Sequence, residues 1–334
     1  MYSLIRQSSF YPGQMGVHGS DIPRGLRWSP TAITMYMDNH HNDASDAHDG
    51  TDPEHPMATV QGAVTKLIAH QTALGVSLVG SQIVVGAGAT IAESVIIPET
   101  APRGCSVLAD TAGGYLPSWT PATATGTALT VRQQDWRVSG FQFNWTGNGT
   151  GIYLDWTAAY NASGTVVDHN RFFGSWSGLY GIAHHGSPYN VRVLDNEFAE
   201  IRSAGGAGTA FAIYGTNTPT AEALEWQIVG NTFMECENYI GSLNHTYGFN
   251  ASLIAHNIFG QDPLGIPTVL ILDLRSGHGG SNTVFGNLFQ GDYSQPGGYW
   301  DSTAAASCWV GNYAQDVLEA EVGDNGLTIL PPAA

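Results

Sequence analysis

A six-residue phrase recurs along this chain at spacings too short for domains and too long for turns, and it limits the fold more than any other feature. The copies read Val138-Ser-Gly-Phe-Gln-Phe143, Val167-Asp-His-Asn-Arg-Phe172, Val193-Leu-Asp-Asn-Glu-Phe198, Ile228-Val-Gly-Asn-Thr-Phe233, Ile254-Ala-His-Asn-Ile-Phe259, Val284-Phe-Gly-Asn-Leu-Phe289 and Trp309-Val-Gly-Asn-Tyr-Ala314. From Phe141 through Asn170, Asn196, Asn231, Asn257 and Asn287 to Asn312 the steps are 29, 26, 35, 26, 30 and 25 residues. Self-similarity at such a period means a solenoid or an array. The copies lack the three- and four-residue apolar spacing of a helical repeat and the fixed leucines of a leucine-rich repeat. A β-branched residue, a short polar or glycine pair, Asn and then an aromatic fit two short strands meeting at a bend. Asn is expected at the corner, because its side chain tolerates the left-handed region and bonds local backbone. Coils of parallel strands stacked about 4.8 Å apart then set Asn over Asn as an amide ladder and Phe over Phe as an apolar column.

The phrase and its coil length resemble the right-handed parallel β-helix family of pectate-lyase-like enzymes and many phage spike, fibre and capsid-surface proteins. Two further stretches are similar to the first coils of that family. One is the Asp/Asn/Gly-rich run that leads through Pro56 to Ala58-Thr-Val-Gln61, and the other is Ile83-Val-Val-Gly-Ala-Gly88 followed by Glu93-Ser-Val-Ile-Ile-Pro98. The resemblance implies an all-β fold and the right hand of the coil. It divides the chain into an extended N-terminal arm at 1–37, an Asp/His-rich loop with a capping helix at 38–75, the β-helix at 76–314 and a C-terminal cap at 315–334.

A solenoid uses length linearly, so 334 residues suit one elongated domain. The formal net charge of −17 argues against nucleic acid and against anionic membrane surfaces as partners. No apolar run is long enough for a membrane span. The first twelve residues hold no apolar core of a secretory signal, so synthesis in a host cytoplasm is expected. Three cysteines, Cys105, Cys236 and Cys308, are too few for a disulfide framework.

Between Asp38 and His55 lie six acids, four histidines and no cation. Their order does not match the EF-hand loop, and no histidine pair sits at helical four-residue spacing. The segment is read as an Asx-rich turn whose side chains cap backbone amides, with no metal and no cofactor assigned. A helix follows over Ala58 to Leu74, with Thr59 as N-cap, Val60, Val64, Leu67, Ile68 and Leu74 near one face, and Gly75 as the stop. Laid across the first coil, it closes the open end of the stack. Strands are expected at 76–79, 83–85, 94–97 and 129–131.

Equal offsets from Asn pair Arg171 with Glu197, Arg202 with Glu237 and Asp262 with Asp292. The last two carboxylates on adjacent coils are candidates for an acid and a base in glycoside cleavage. Asp273-Leu-Arg275-Ser-Gly-His278 is a second candidate, with Asp273 and Arg275 as its chemical groups. Trp145, Trp156, Trp176, Tyr180 and Tyr189 can stack on sugar rings. Few cations lie in the repeats, which argues against calcium-dependent elimination of the pectate type. The leading expectation is a homotrimeric virion protein of a tailed phage, on the capsid or in a short spike or fibre, docking on other virion proteins through residues 1–37. The alternative is a polysaccharide hydrolase or lyase, such as a phage depolymerase, that takes a surface glycan in a groove on the coil.

Overall fold

The computed structural model of the chain describes residues 31–203, 208–215, 222–241, 248–260, 270–274, 281–289, 299–300 and 307–314. Among them the strands form three long parallel sheets, to which most coils contribute one strand each, and a two-stranded parallel sheet of Ala223–Leu224 and Phe249–Asn250. Sheet A has ten strands, from Thr34–Met37 through Gln82–Val85 to Cys308–Val310; sheet B has nine, from Thr90–Ala92 to Tyr313–Ala314; sheet C has eight, from Val95–Ile97 to Tyr299–Trp300. The chain is an all-β parallel β-helix. Each copy of the phrase is a sheet A strand, a corner and a sheet B strand, as the sequence predicts. The third strand of each coil lies outside the phrase.

The register sets identical residues over one another. Val138, Val167, Val193, Ile228, Ile254 and Val284 are in line along sheet A, and all are fully buried. Along sheet B, Phe143, Phe172, Phe198, Phe233, Phe259 and Phe289 stack with centroids 4.8–5.0 Å apart and planes within 9° of parallel. Parallel strand spacing imposes that distance, and the rings stack with their planes nearly parallel.

The ladder differs from expectation in one respect. The left-handed corner residue is the one before Asn: His169 has φ 56°, Asp195 54°, Gly230 73°, His256 55°, Gly286 63° and Gly311 64°. Asn instead points inward, and all six ladder residues are 0–2% exposed. The reason lies in hydrogen bonding. The backbone N–H of Asn196 donates to Asn231 Oδ1 at 2.9 Å, its Nδ2 donates to the same oxygen at 3.0 Å, and that Nδ2 also donates to Val167 O at 2.9 Å. The pattern repeats from Asn170 to Asn312, so each amide satisfies donors that the turn would otherwise bury unpaired. Phe141 tops the column, its N–H donating to Asn170 Oδ1 at 3.0 Å.

The open N-terminal end is closed by helix α1, Val60–Leu74, which buries Val60, Ala63, Val64 and Leu67. Thr59 accepts from Gly62 N–H, and Gly75 ends the helix at φ 64°. Two carboxylates supply the remaining caps. Glu93 accepts from Val60 and Gln61 N–H at 3.0 and 3.1 Å, and Asp46 Oδ1 accepts from Ala58 and Thr59 N–H at 3.0 and 2.9 Å. The arm assignment needs correction at its end. Thr34–Met37 is the first strand of sheet A, paired with Gln82–Val85, because its alternation buries Met35 and Met37 against the coil. Residues 1–30 and the expected C-terminal cap at 315–334 lie outside the described residues. The strand expected at 76–79 is irregular chain and turn, in which Leu78 is buried. Arg171 and Glu197 pair across adjacent strands with Nε–Oε2 at 3.2 Å, both partly exposed.

The ladder and this pair allow a contrast. Asn231→Ala strips acceptors from Asn196 and a donor from Val193 O, and should lower unfolding stability by on the order of 3 kcal/mol. Arg171→Ala, at a solvent-screened pair, should cost less than about 1 kcal/mol. Urea midpoints of the two variants measured side by side check the order.

Candidate functional site

Strands with alternating side chains put chemistry on the outer face of sheet C. In Thr150–Asp155, Tyr180–His185 and Phe211–Gly215, the core takes Ile152, Leu154, Ile182, His184 and Ile213. Tyr153, Ala183 and Tyr214 form one outer row, and Asp155 and His185 begin the next. Gly151, Gly181 and Ala212 are skipped in the pairing. A Cβ on Gly181 would lie 2.6 Å from Ala212 O and 2.8 Å from the Phe198 ring, so glycine lets the strand pass over the phenylalanine column.

The outer side carries its own apolar cluster, separate from the main core: Ala183, Phe211 and Tyr214, with Tyr153 and Tyr180 against them. Tyr180 stacks on Tyr214 at 4.4 Å with planes 7° apart. At one edge of this floor Asp155 is held between two partners. Arg132 Nε donates to Asp155 Oδ2 at 3.0 Å, and His185 Nδ1 lies 3.2 Å from Asp155 Oδ1. The Arg132 guanidinium rests 4.4 Å over the Tyr160 ring, which the 156–161 loop folds back through a Trp156–Asn161 bridge. The Asp155 side chain is only 9% exposed, whereas His185 is 37% exposed.

This arrangement fixes a tautomer. A carboxylate accepts, so Nδ1 of neutral His185 carries the hydrogen and Nε2 keeps its lone pair, free to take a proton. Burial, and then the Asp155 charge, push the Tyr153 hydroxyl up to about 12. Tyr153 therefore holds its proton at neutral pH and can only donate it. At the other side of the strands Trp176, 38% exposed, lies under the Arg202 guanidinium at 4.6 Å.

A second charged cluster is saturated rather than open. Burial raises the Asp168 carboxyl, but hydrogen bonds from Arg137 and His169 outweigh it and leave the pKa lowered. Asp168 accepts from Arg137 at 2.9 and 2.6 Å, from Ser139 Oγ at 3.2 Å, and lies 2.8 Å from His169 Nδ1. Glu237 is likewise buried, accepting from Ser203, Gly208 and Ala210 N–H. Both are structural clamps.

Of the residues chosen from sequence, Asp262, Asp292 and Arg275 lie outside the described residues. Asp273 ends the sheet C strand Leu270–Asp273, in the row of Tyr153 and Tyr214. Trp145 belongs to the core, edge-on to Phe172 at 6.4 Å. Trp176 and Tyr189 are exposed. Sequence reasoning missed Arg132, Tyr153, Asp155 and His185. The sheet C strands begin 7 residues after Phe143, 8 after Phe172 and 13 after Phe198, so no fixed offset from the phrase finds them. The available signal was local alternation in Ile152-Tyr-Leu-Asp155 and Ile182-Ala-His-His185.

No protein-family model and no curated protein matches the chain. Solved structures do. A rice weevil pectin methyl esterase is 12% identical, with 86% of each chain covered and a TM-score of 0.46. A rhamnogalacturonan lyase is 12% identical over 87% of this chain and 90% of that one, with a TM-score of 0.43. An alginate lyase from Paenibacillus sp. str. FPU-7 is 17% identical over 76% and 94%, with a TM-score of 0.36. Likenesses this distant assign no activity, and the β-helix rests on the chain's own strand pairing.

The inward neighbour of His185 generates a pH prediction. Burial holds His184 at about 4, its Nδ1 lying 3.0 Å from Gly186 O. The unfolded chain takes up this proton below the ordinary histidine range while the folded chain does not, so stability falls as pH drops from about 6.5 toward the folded value. The loss should reach about 3 kcal/mol. Urea unfolding at pH 7 and pH 4 should show a smaller difference for His184→Leu than for the unaltered chain.

Proposed function

We propose that the chain is a polysaccharide-cleaving protein that takes its substrate along the outer face of sheet C, with His185 as the proton-accepting group. The reading is carried by the Asp155 carboxylate, which orients a half-open histidine at the edge of a tyrosine floor. Tyr153 and Tyr180, both partly exposed, offer ring surface and hydroxyls, with the buried Tyr214 packed against Tyr180 as support, the pairing that suits a sugar's apolar face and rim of hydroxyls. Arg132 neutralises Asp155 and holds it in place, acting as a positioning residue.

The chemistry this set favours is elimination. His185 Nε2 takes the proton next to a uronosyl carboxyl group, the glycosidic C–O bond breaks, and Tyr153 is placed on the same face to return a proton to the departing oxygen. The two-carboxylate arrangement of hydrolysis would need a second acid beside Asp155. Asp262 and Asp292, the carboxylate pair chosen from sequence, lie outside the described residues, and Asp273 is four strands along sheet C from Asp155.

The virion reading rests on a cytoplasmic start, an arm with no core of its own, a bare coil with short caps and few catalytic groups; Thr34–Met37 is a strand of the coil, and residues 1–30 of the arm lie outside the described residues.

The test is a panel of acidic and neutral polysaccharides, followed by ultraviolet absorbance of unsaturated ends and by reducing-end release. His185→Ala should lower cleavage by about 100-fold or more, and Tyr180→Ala should weaken substrate binding with folding intact. Unsaturated ends identify elimination, and reducing ends without them identify hydrolysis. Cleavage at the original rate by His185→Ala would sink the assignment.

A further inference from the structure

The loop ahead of helix α1 brings together three groups that the sequence spacing keeps apart. Asp43, His48 and His55 each offer one ligand atom, and the three atoms lie within 4.8 Å of one another. His55 Nδ1 is hydrogen-bonded to Asp43 Oδ2, and His48 Nε2 lies 4.0 Å from the same oxygen. The His48 and His55 rings meet edge to face at 5.5 Å. Absence of a helical four-residue pair had argued against a metal set, but a closed loop needs no helix to converge its ligands.

Two features distinguish this from a chance meeting of polar side chains. His48 Nδ1 faces Pro56 O at 3.4 Å, which places the hydrogen on Nδ1 and leaves Nε2 as a lone-pair donor toward Asp43, the outer-shell pattern of metal-binding histidines. The loop is also braced before any ion arrives. Pro56 O accepts from Ser45 N–H at 3.0 Å, Tyr36 N–H donates to Gly50 O at 2.7 Å, and Met57 N–H donates to Tyr36 O at 2.8 Å. Asx turns at Asp49 and Asp52 fix the chain between His48 and His55, and one at Asp38 precedes Asp43.

We propose that Asp43, His48 and His55 bind a divalent first-row transition ion, zinc above all, at the N-terminal end of the coil. Two imidazoles and one carboxylate suit zinc, and calcium, which prefers an all-oxygen shell, fits poorly. Tetrahedral coordination sets donor atoms about 3.3 Å apart, so the ion takes the place of the hydrogen shared by Asp43 and His55 and draws His48 inward. Asp43 and His55 are more than half exposed, which leaves the fourth position to water. The ion would cross-link the two ends of the loop that joins the first strand to the capping helix. Its role is then to lock the end of the solenoid, independently of the sheet C face.

The test uses the full chain, stripped of metal with a chelator and titrated with zinc sulfate by calorimetry, with cobalt(II) as a spectroscopic probe. A single saturable equivalent is expected, with an intense visible cobalt band and a higher unfolding temperature in zinc. Asp43→Asn and His55→Gln should each weaken zinc binding by at least about tenfold and remove the thermal shift. His40→Ala, on a neighbouring exposed histidine outside the three ligands, should leave both unchanged. His55 is exposed, so its variant remains informative if His48→Ala disturbs folding. No saturable zinc binding, binding that survives His55→Gln, or calcium binding in place of zinc would each overturn the proposal.

Discussion

Stacking of one coil on the next at the spacing of a parallel sheet is the constraint from which the rest of this structure follows. At that spacing a buried corner must satisfy its backbone donors within the protein, and a ring on one coil must lie over a ring on the next. The Asn column meets the first demand, since from Asn196 to Asn312 each Oδ1 accepts both a backbone and a side-chain donor from the adjacent coil. The Phe column meets the second. Neither side chain is useful alone, because each depends on an identical partner above and below. That mutual dependence is why the phrase recurs while its flanks drift.

Sheet C is where the constraint relaxes. Its strands need inward apolar residues, but among the described residues no ladder or ring column runs the length of their outer side beyond the Tyr180–Tyr214 pair, and the loops leading to them differ in length. The outer rows can therefore hold tyrosines, an arginine, a carboxylate and a histidine without breaking the stack. Buried and exposed histidines sit side by side in His184 and His185, and strand alternation alone gives them opposite chemistry. One is kept neutral by the core. The other is oriented by Asp155 with a nitrogen left toward solvent.

The N-terminal end solves a different problem, since the first coil has an open face. Helix α1 covers it with four buried residues, and Glu93 and Asp46 cap the helix from outside its own sequence. In the loop between the first strand and this helix Asp38, Asp46, Asp49 and Asp52 accept from backbone amides, whereas Asp43 meets the two histidines.

The sequence by itself determined the coil. Asn every 25 to 35 residues, with a β-branched residue before it and an aromatic after, admits a parallel β-helix because only stacked identical turns reward that repetition. It also determined the capping helix, since Thr59, the apolar spacing and Gly75 are local signals. Tertiary structure decided that Asn lies inside the corner while the preceding residue adopts positive φ, because the choice depends on donors from another coil. It decided the sheet C face as well. Arg132, Asp155 and His185 lie on three successive coils joined by unequal loops, so their register is set by strand pairing and not by spacing. The same holds for Asp43 and His55, which are twelve residues apart and meet only because the loop between them closes.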